Sequence, residues 1–274
     1  MRGHKNLQSL TLEMGDVARA ASVAEDGRRV TIRYGDGFHL AWFGVELATF
    51  GFLRGDWDAS ATALGSFLDG LGDRKHYMAG PAHMVLGRIH AERGALAEGI
   101  AQSLLGLEFA RSVSDPQQLL PSLASHACVL LRAARPAEAG ALLDEYLRLL
   151  EAPTFSSADA TLALGELGRQ RELASMPASL RANPWGDAAA ALVRDDLAGA
   201  AERYAAIGSL LHEAETRLRL AHRLAADGCR EESEREAVAA AGFFRRSGAL
   251  PRVAEVEAAL SGVGGLEERG DRAG

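Results

Sequence analysis

The feature that most limits what this chain can fold into is a recurring pair. A turn residue, usually Gly, is followed five positions later by a small residue. The pair occurs as Gly15/Ala20, Gly55/Ser60, Gly94/Gly99, Ala134/Ala139, Asp195/Ala200 and Gly228/Ser233. Successive turn positions are 40, 39, 40, 61 and 33 residues apart. One helix pair with its turns takes about 33 to 40 residues in common helical repeats. The long gap therefore reads as two units, one of them degenerate. The whole chain then counts about seven units.

A second pattern falls in register with the first. In a tetratricopeptide-like hairpin, one position of the first helix meets one in the second, twelve residues on. Both must be small for the backbones to approach. The pairs here are Ala48/Ser60, Gly87/Gly99, Ala127/Ala139, Ala188/Ala200 and Ala221/Ser233. The first unit departs, with Gln8 facing Ala20. These spacings predict an all-α fold: an α-solenoid of about seven tetratricopeptide-like hairpins with a C-terminal capping helix over Leu250–Leu260. Residues 1–262 form one superhelix, with the degenerate unit near 154–184 and a Gly-rich, charged, flexible tail at 263–274.

Local signals agree. Asp56 or Asp58 is placed to cap a helix, and Trp57 to plug the joint beside it. Pro136 opens a helix after the Ala134 turn, and Pro153 closes it. In the degenerate unit, Ser156 or Ser157 caps a helix through Leu167, and a shorter helix follows near Arg171–Leu180. The segment 28–38 is the least helical. Val30, Ile32 and Tyr34 alternate as in a short strand, but a loop between units is the preferred reading.

Chemistry is sparse. The sequence has no phosphate-binding GxxxxGK[ST] loop, and Gly35-Asp36-Gly37 is no dinucleotide fingerprint. His76, His83 and His90 recur every seven residues, a rise of about 10.5 Å on a helix, too far for one metal ion. Ser125 and His126 are adjacent, so they face different sides of a helix and form no nucleophile–base pair. Cys128 and Cys229 are far apart in sequence and lack metal-ligand spacing, and read as reduced thiols. No catalytic residue, cofactor or metal ligand is expected, and the chain reads as non-enzymatic. The formal net charge of −7 offers no basic face for nucleic acid. No apolar run is long enough for a signal or a membrane span, so a cytoplasmic protein is expected.

What remains is shape. The first helices of a stacked array line its concave side. In the repeat register the groove positions are Trp42, Val45, Thr49 and Phe52, then Met84, Arg88, Ala91 and Glu92, then Ala124, Cys128, Leu131 and Arg132. Trp42, Thr49, Phe52, Arg88, Glu92 and Arg132 are the candidate contacts for a protein or peptide partner, since aromatic and Arg side chains often anchor interfaces. The opposing reading packs Trp42 and Phe52 between neighbouring units.

Three stretches carry a family resemblance: Pro184-Trp185, the run from Tyr204 to Arg219, and Phe243 to Ala249. With the N-terminal NLQSLTLEMGDVARAA, they resemble the helical-repeat tails of actinobacterial ATPase regulators joined to adenylate-cyclase-like or LuxR-type domains. The resemblance implies a setting in bacterial signalling or transcription, as a scaffold or as a sensor of a small effector. The ATP-binding, cyclase and DNA-binding parts of such regulators have no counterpart in this sequence. Their catalysis and DNA binding do not carry over. The chain is expected to be a detached tail or a stand-alone relative.

Overall fold

In the computed structural model, all six marker turns adopt the left-handed backbone that ends a helix. Gly15, Gly55, Gly94 and Gly228 have φ between 74° and 96°, and Ala134 and Asp195 have φ of 54° and 63°. Gly168, at φ 70°, supplies the turn missing from the long gap. The structure describes residues 1–72, 74–150, 158–175, 183–258 and 260. Pro153, Ser156, Ser157, residues 176–182 and the tail at 263–274 lie outside the described residues.

The helices pair in sequence order. Unit one is α1 (Arg2–Glu13) and α2 (Val17–Tyr34); unit two is α3 (Gly37–Arg54) and α4 (Trp57–Leu71). Unit three is α5 (Ala79–Glu92) and α6 (Leu96–Val113); unit four is α7 (Pro116–Arg132) and α8 (Pro136–Leu149). Unit five, the degenerate one, pairs the short α9 (Ala158–Glu166) with a 3₁₀ helix over Gln170–Ser175. Unit six is α10 (Pro184–Val193) and α11 (Leu197–Ile207); unit seven is α12 (Leu210–Ala226) and α13 (Arg230–Arg246). A last helix, α14 (250–258), follows Gly248. The fold is an all-helical solenoid, as the turn spacing predicts.

The twelve-residue pairs are where hairpin backbones meet. The Ser60 hydroxyl donates to the Ala48 carbonyl, and that of Ser233 to the Ala221 carbonyl, each at 2.8 Å. A Cβ on Gly99 would lie 2.9 Å from the Ala91 nitrogen, too close for any side chain. Gln8 departs from the pattern with a purpose. Its amide leaves the hairpin and donates to Glu46 on α3 at 3.0 Å.

Trp57 does plug its joint. It is buried, lies against Phe52 and Phe243, and donates its indole N–H to the Phe52 carbonyl at 2.9 Å. Asp56 stands at the N-cap of α4 without a side-chain capping bond, and Asp58 turns outward to Arg93.

The segment 28–38 is neither strand nor loop. Residues 28–34 finish α2, Gly35 turns at φ 68°, and Asp36 caps α3 by accepting from the His39 amide at 3.0 Å. The alternation of Val30, Ile32 and Tyr34 is misleading. Ile32 and Tyr34 stay exposed, so the alternation does not mark a buried sheet face. Here helix continuation and a strong cap override weak β propensity.

The superhelix also comes round onto itself. The turn of unit one meets unit six, where Trp185 donates to the Leu12 carbonyl at 2.7 Å. The turn of unit two meets unit seven, with Gly55 beneath the Phe243 ring. At the turn of unit three, Arg93 donates to the Ser247 carbonyl at 2.8 Å, just before α14. The first two turns thus dock five units further along, and the third docks on the junction between unit seven and the capping helix. One core follows from this winding, joining Val45, Phe52 and Trp57 to Leu211, Leu218, Phe244 and Val256. Helix α14 buries Val253 and Val256 in that core, so it does cover the last apolar face.

Candidate functional site

Because the array closes, its first helices face a narrow centre. Helices α5, α7, α9, α12 and α14 each send charged or polar side chains there. They enclose a cavity of about 230 Å³ whose walls include Arg88, Glu92, Cys128, Arg132, Glu166, Glu215, Arg219, His222, Arg252 and Glu255.

Arg88 is the hub. Its side chain is 1% exposed, and its guanidinium reaches Glu215 at 2.7 Å, Asp159 at 3.1 Å and Glu92 at 3.7 Å. Burial opposes its charge, but Asp159, Glu215 and Glu92 outweigh burial and hold its pKa well above the ordinary value. Burial likewise pushes the Asp159 carboxyl up, yet Arg88 and a hydrogen bond from His212 pull it down to about 2. Burial pushes the Glu215 carboxyl up despite Arg88.

The network continues into the capping helix. Arg252 approaches Glu92 at 3.2 Å and pairs with Glu255 at 2.7 Å. Arg132 pairs with Glu255 and stands 3.7 Å from Glu92. Glu255 is pushed up by burial but pulled lower overall by Arg132 and Arg252. Helix α14 is therefore fastened to α5 and α7 by charge as well as by apolar contact.

A second branch runs from Asp159 to α12. His212 Nε2 lies 3.1 Å from Asp159 Oδ1, and His212 Nδ1 lies 2.6 Å from the Ser209 hydroxyl. A ring protonated on Nε2 donates to Asp159 and accepts from Ser209. Such a series can activate a hydroxyl. Ser209, however, has no exposed surface, so no substrate carbonyl reaches it without α12 moving. Burial raises the Cys128 thiol well above its ordinary pKa, which keeps it protonated and unreactive. Among the described residues no group of His, Cys, Asp or Glu is arranged to hold a metal ion. No helix among them is long and apolar enough to cross a membrane.

The structure divides the six candidate contacts. Arg88, Glu92 and Arg132 come together in the cavity, but Arg88 and Glu92 are buried within the ion network and Arg132 keeps some exposure. Phe52 is buried on Trp57. Thr49 is half-buried and donates to the Val45 carbonyl at 2.9 Å. Trp42 is half-buried, stacks on Tyr77 with centroids 5.2 Å apart, and lies under the Lys5 ammonium. His76, His83 and His90 do not converge. His76 hydrogen-bonds the Phe38 carbonyl and His83 pairs with Gln102. His126 meets Ser103 rather than Ser125.

Sequence reasoning missed Asp159, Ser209, His212, Arg252 and Glu255. Glu215 and Arg219 read from sequence as part of a solvated, ion-paired helix face, and the structure turns both into the cavity wall instead. The i,i+3 spacing of Ser209 and His212 at a helix start was a usable local signal. The rest belong to units far apart in sequence and carry none.

No family model matches the chain, and no curated protein matches it. Among solved structures, the chain is similar to a Rap protein crystallised in complex with competence and sporulation factor. The match has a TM-score of 0.53 at 10% identity, and covers 94% of this chain and 73% of that one. BtubC (BKLC) from P. vanneervenii also aligns, at 11% identity over 93% of this chain and 92% of that one, with a TM-score of 0.37. At these identities the first likeness is one of fold: a helical-repeat solenoid.

Proposed function

We propose that this chain is a non-enzymatic helical-repeat scaffold that binds a protein or peptide partner in bacterial signalling or transcriptional regulation. The observation that carries this reading is the solenoid itself, with first helices turned inward onto a polar centre. Modular helices of this kind build extended recognition surfaces. The fold likeness to a Rap protein complexed with competence and sporulation factor supports a partner-binding role. The resemblance of Pro184-Trp185, Tyr204–Arg219 and Phe243–Ala249 to regulator tails supports the regulatory setting.

In this reading Trp42, Thr49 and Arg132 are the reachable contacts. Phe52, Arg88 and Glu92 act from behind, by fixing the helices that present them. No nucleic acid or membrane takes part. The test is capture of partner by purified chain carrying Trp42→Ala or Arg132→Glu, beside Val238→Asp on exposed α13. The first two should lose capture and the third retain it. Unchanged capture by both inner-face variants contradicts the assignment.

A second reading has its own observation. A polar cavity of about 230 Å³ walled by five helices suits a small effector rather than a chain segment. Pockets for drug-sized ligands run to about 300–1,000 Å³.

A further inference from the structure

We propose that the central cavity binds a small carboxylate of amino-acid size, with the Arg219 guanidinium as its principal contact. The inference rests on the small-effector reading and adds the ligand's chemistry.

Arg88 Nε is buried and makes no hydrogen bond in the protein. Arg132 Nε and Arg252 Nε make none either, although they stand 3.7 and 3.2 Å from Glu92 Oε2. Arg219 is less provided for still. It is the one cavity arginine whose guanidinium makes no ion pair among the described residues. Its best contact is the Leu162 carbonyl at 3.5 Å, which is long for a hydrogen bond. Burial lowers its pKa, as expected of a cation short of partners.

The backbone makes room for this arginine. A Cβ on Gly165 would lie 2.5 Å from Arg219 Nη1 and 2.7 Å from Nη2. The Cβ position thus lies in the plane of the guanidinium, between its two terminal nitrogens, so only a glycine lets α9 meet the end of this side chain. Its Nε and Nη2 make no hydrogen bond among the described residues, and two parallel N–H donors of this kind match a carboxylate.

Charge and size narrow the ligand. The cavity wall carries four arginines and four glutamates, and burial lowers the His222 pKa, so that ring is neutral at neutral pH. A zwitterion, with a carboxylate and an ammonium together, leaves this balance unchanged, whereas each further net buried charge adds to the desolvation cost. A phosphate dianion would disturb it more. Glu166, at the exposed edge of α9 and outside every ion pair of the cavity, is placed to receive an ammonium or hydroxyl on the same ligand. The volume of about 230 Å³ has room for a ligand of amino-acid size.

The test is calorimetric titration of the full chain with the standard L-amino acids, small hydroxy- and dicarboxylates, the corresponding amides, inorganic phosphate, and tripeptides. At least one free carboxylate should bind at millimolar concentration or better, and its amide should not. Arg219→Gln should weaken that binding about tenfold or more, and Arg219→Lys should weaken it less. If Arg219→Gln does not fold by circular dichroism, Gly165→Ala serves, since its methyl displaces the guanidinium. Absence of binding by any carboxylate, equal binding of the amide, binding by tripeptides alone, or full binding by a folded Arg219 variant overturns the proposal. Binding of phosphate or a neutral amide that Arg219→Gln abolishes leaves the small-effector reading standing while refuting the carboxylate. Silence across the whole panel refutes both.

Discussion

Trp185 Nε1 lies 2.7 Å from the carbonyl oxygen of Leu12, across 173 residues of sequence. The bond ties the first helix to the sixth unit, so it reports on ring closure and not on any local hairpin. Trp185→Phe keeps the aromatic contact with Tyr204 and His212 and removes only the donor. The Leu12 carbonyl retains the Gly15 amide, so the loss should be about 1 kcal/mol. Thermal unfolding should show a drop of about 2–4 °C for a chain of this size. Hydrogen exchange in α1 should quicken more than in α7.

The Arg88 hub gives a larger effect. Arg88→Met leaves Asp159 and Glu215 facing one another without the cation between them. Breaking a buried pair from one side costs about 3–5 kcal/mol, and urea unfolding should register it. The triple change Arg88→Met, Asp159→Asn, Glu215→Gln should recover much of that loss, because the buried charges leave together. The same network has an acid limb. Asp159 sits at about 2 in the fold and near 3.9 unfolded. Its contribution is present above about pH 4 and lost as pH falls toward 2. Asp159→Asn should flatten that limb.

Glu46 works in the opposite sense. Burial raises its carboxyl to about 7, against the pull of Gln8 and Lys5. The unfolded value is near 4.3, so between about pH 4 and 7 the folded state binds the extra proton. Stability from this group is therefore highest below pH 4 and falls as pH rises toward 7. Glu46→Gln should gain stability relative to wild type as pH increases, with little difference at pH 4. A gain that does not grow with pH, measured by denaturant midpoints, contradicts this reading.

Two of the turns inside hairpins use residues ill suited to their backbone. Ala134 has φ 54° and Asp195 φ 63°, where a Cβ costs about 1–2 kcal/mol. Ala134→Gly should raise the unfolding free energy by roughly 0.5–1 kcal/mol after the extra entropy of Gly in the unfolded chain. Asp195→Gly should gain less, because Asp195 also holds Arg223 through two bonds of 2.7 and 2.9 Å.

These residues also mark what the sequence made legible. The turn positions were readable because a left-handed residue and a small partner five places on are local requirements of every hairpin. The twelve-residue pairs were readable for the same reason. Residues 28–34 misled because Val30, Ile32 and Tyr34 mimic a strand, while the cap that decides the matter, Asp36 on His39, lies just beyond them. Closure was not legible at all. Trp185–Leu12, Gly55–Phe243 and Arg93–Ser247 obey no local period. Of the site, Arg88, Glu92 and Arg132 were found through the repeat register. Asp159 and Glu215, which lie 71 and 127 residues from Arg88, emerge only once the superhelix has come round.

In the proposed function, partners engage the inner face of this superhelix. A photo-crosslinking residue placed in turn at Trp42, Arg132 and the exposed Val238 reads out that face. Crosslinked partner is expected from position 42 or 132 and none from 238. Crosslinks from 238 with none from either inner position exclude an inner binding face.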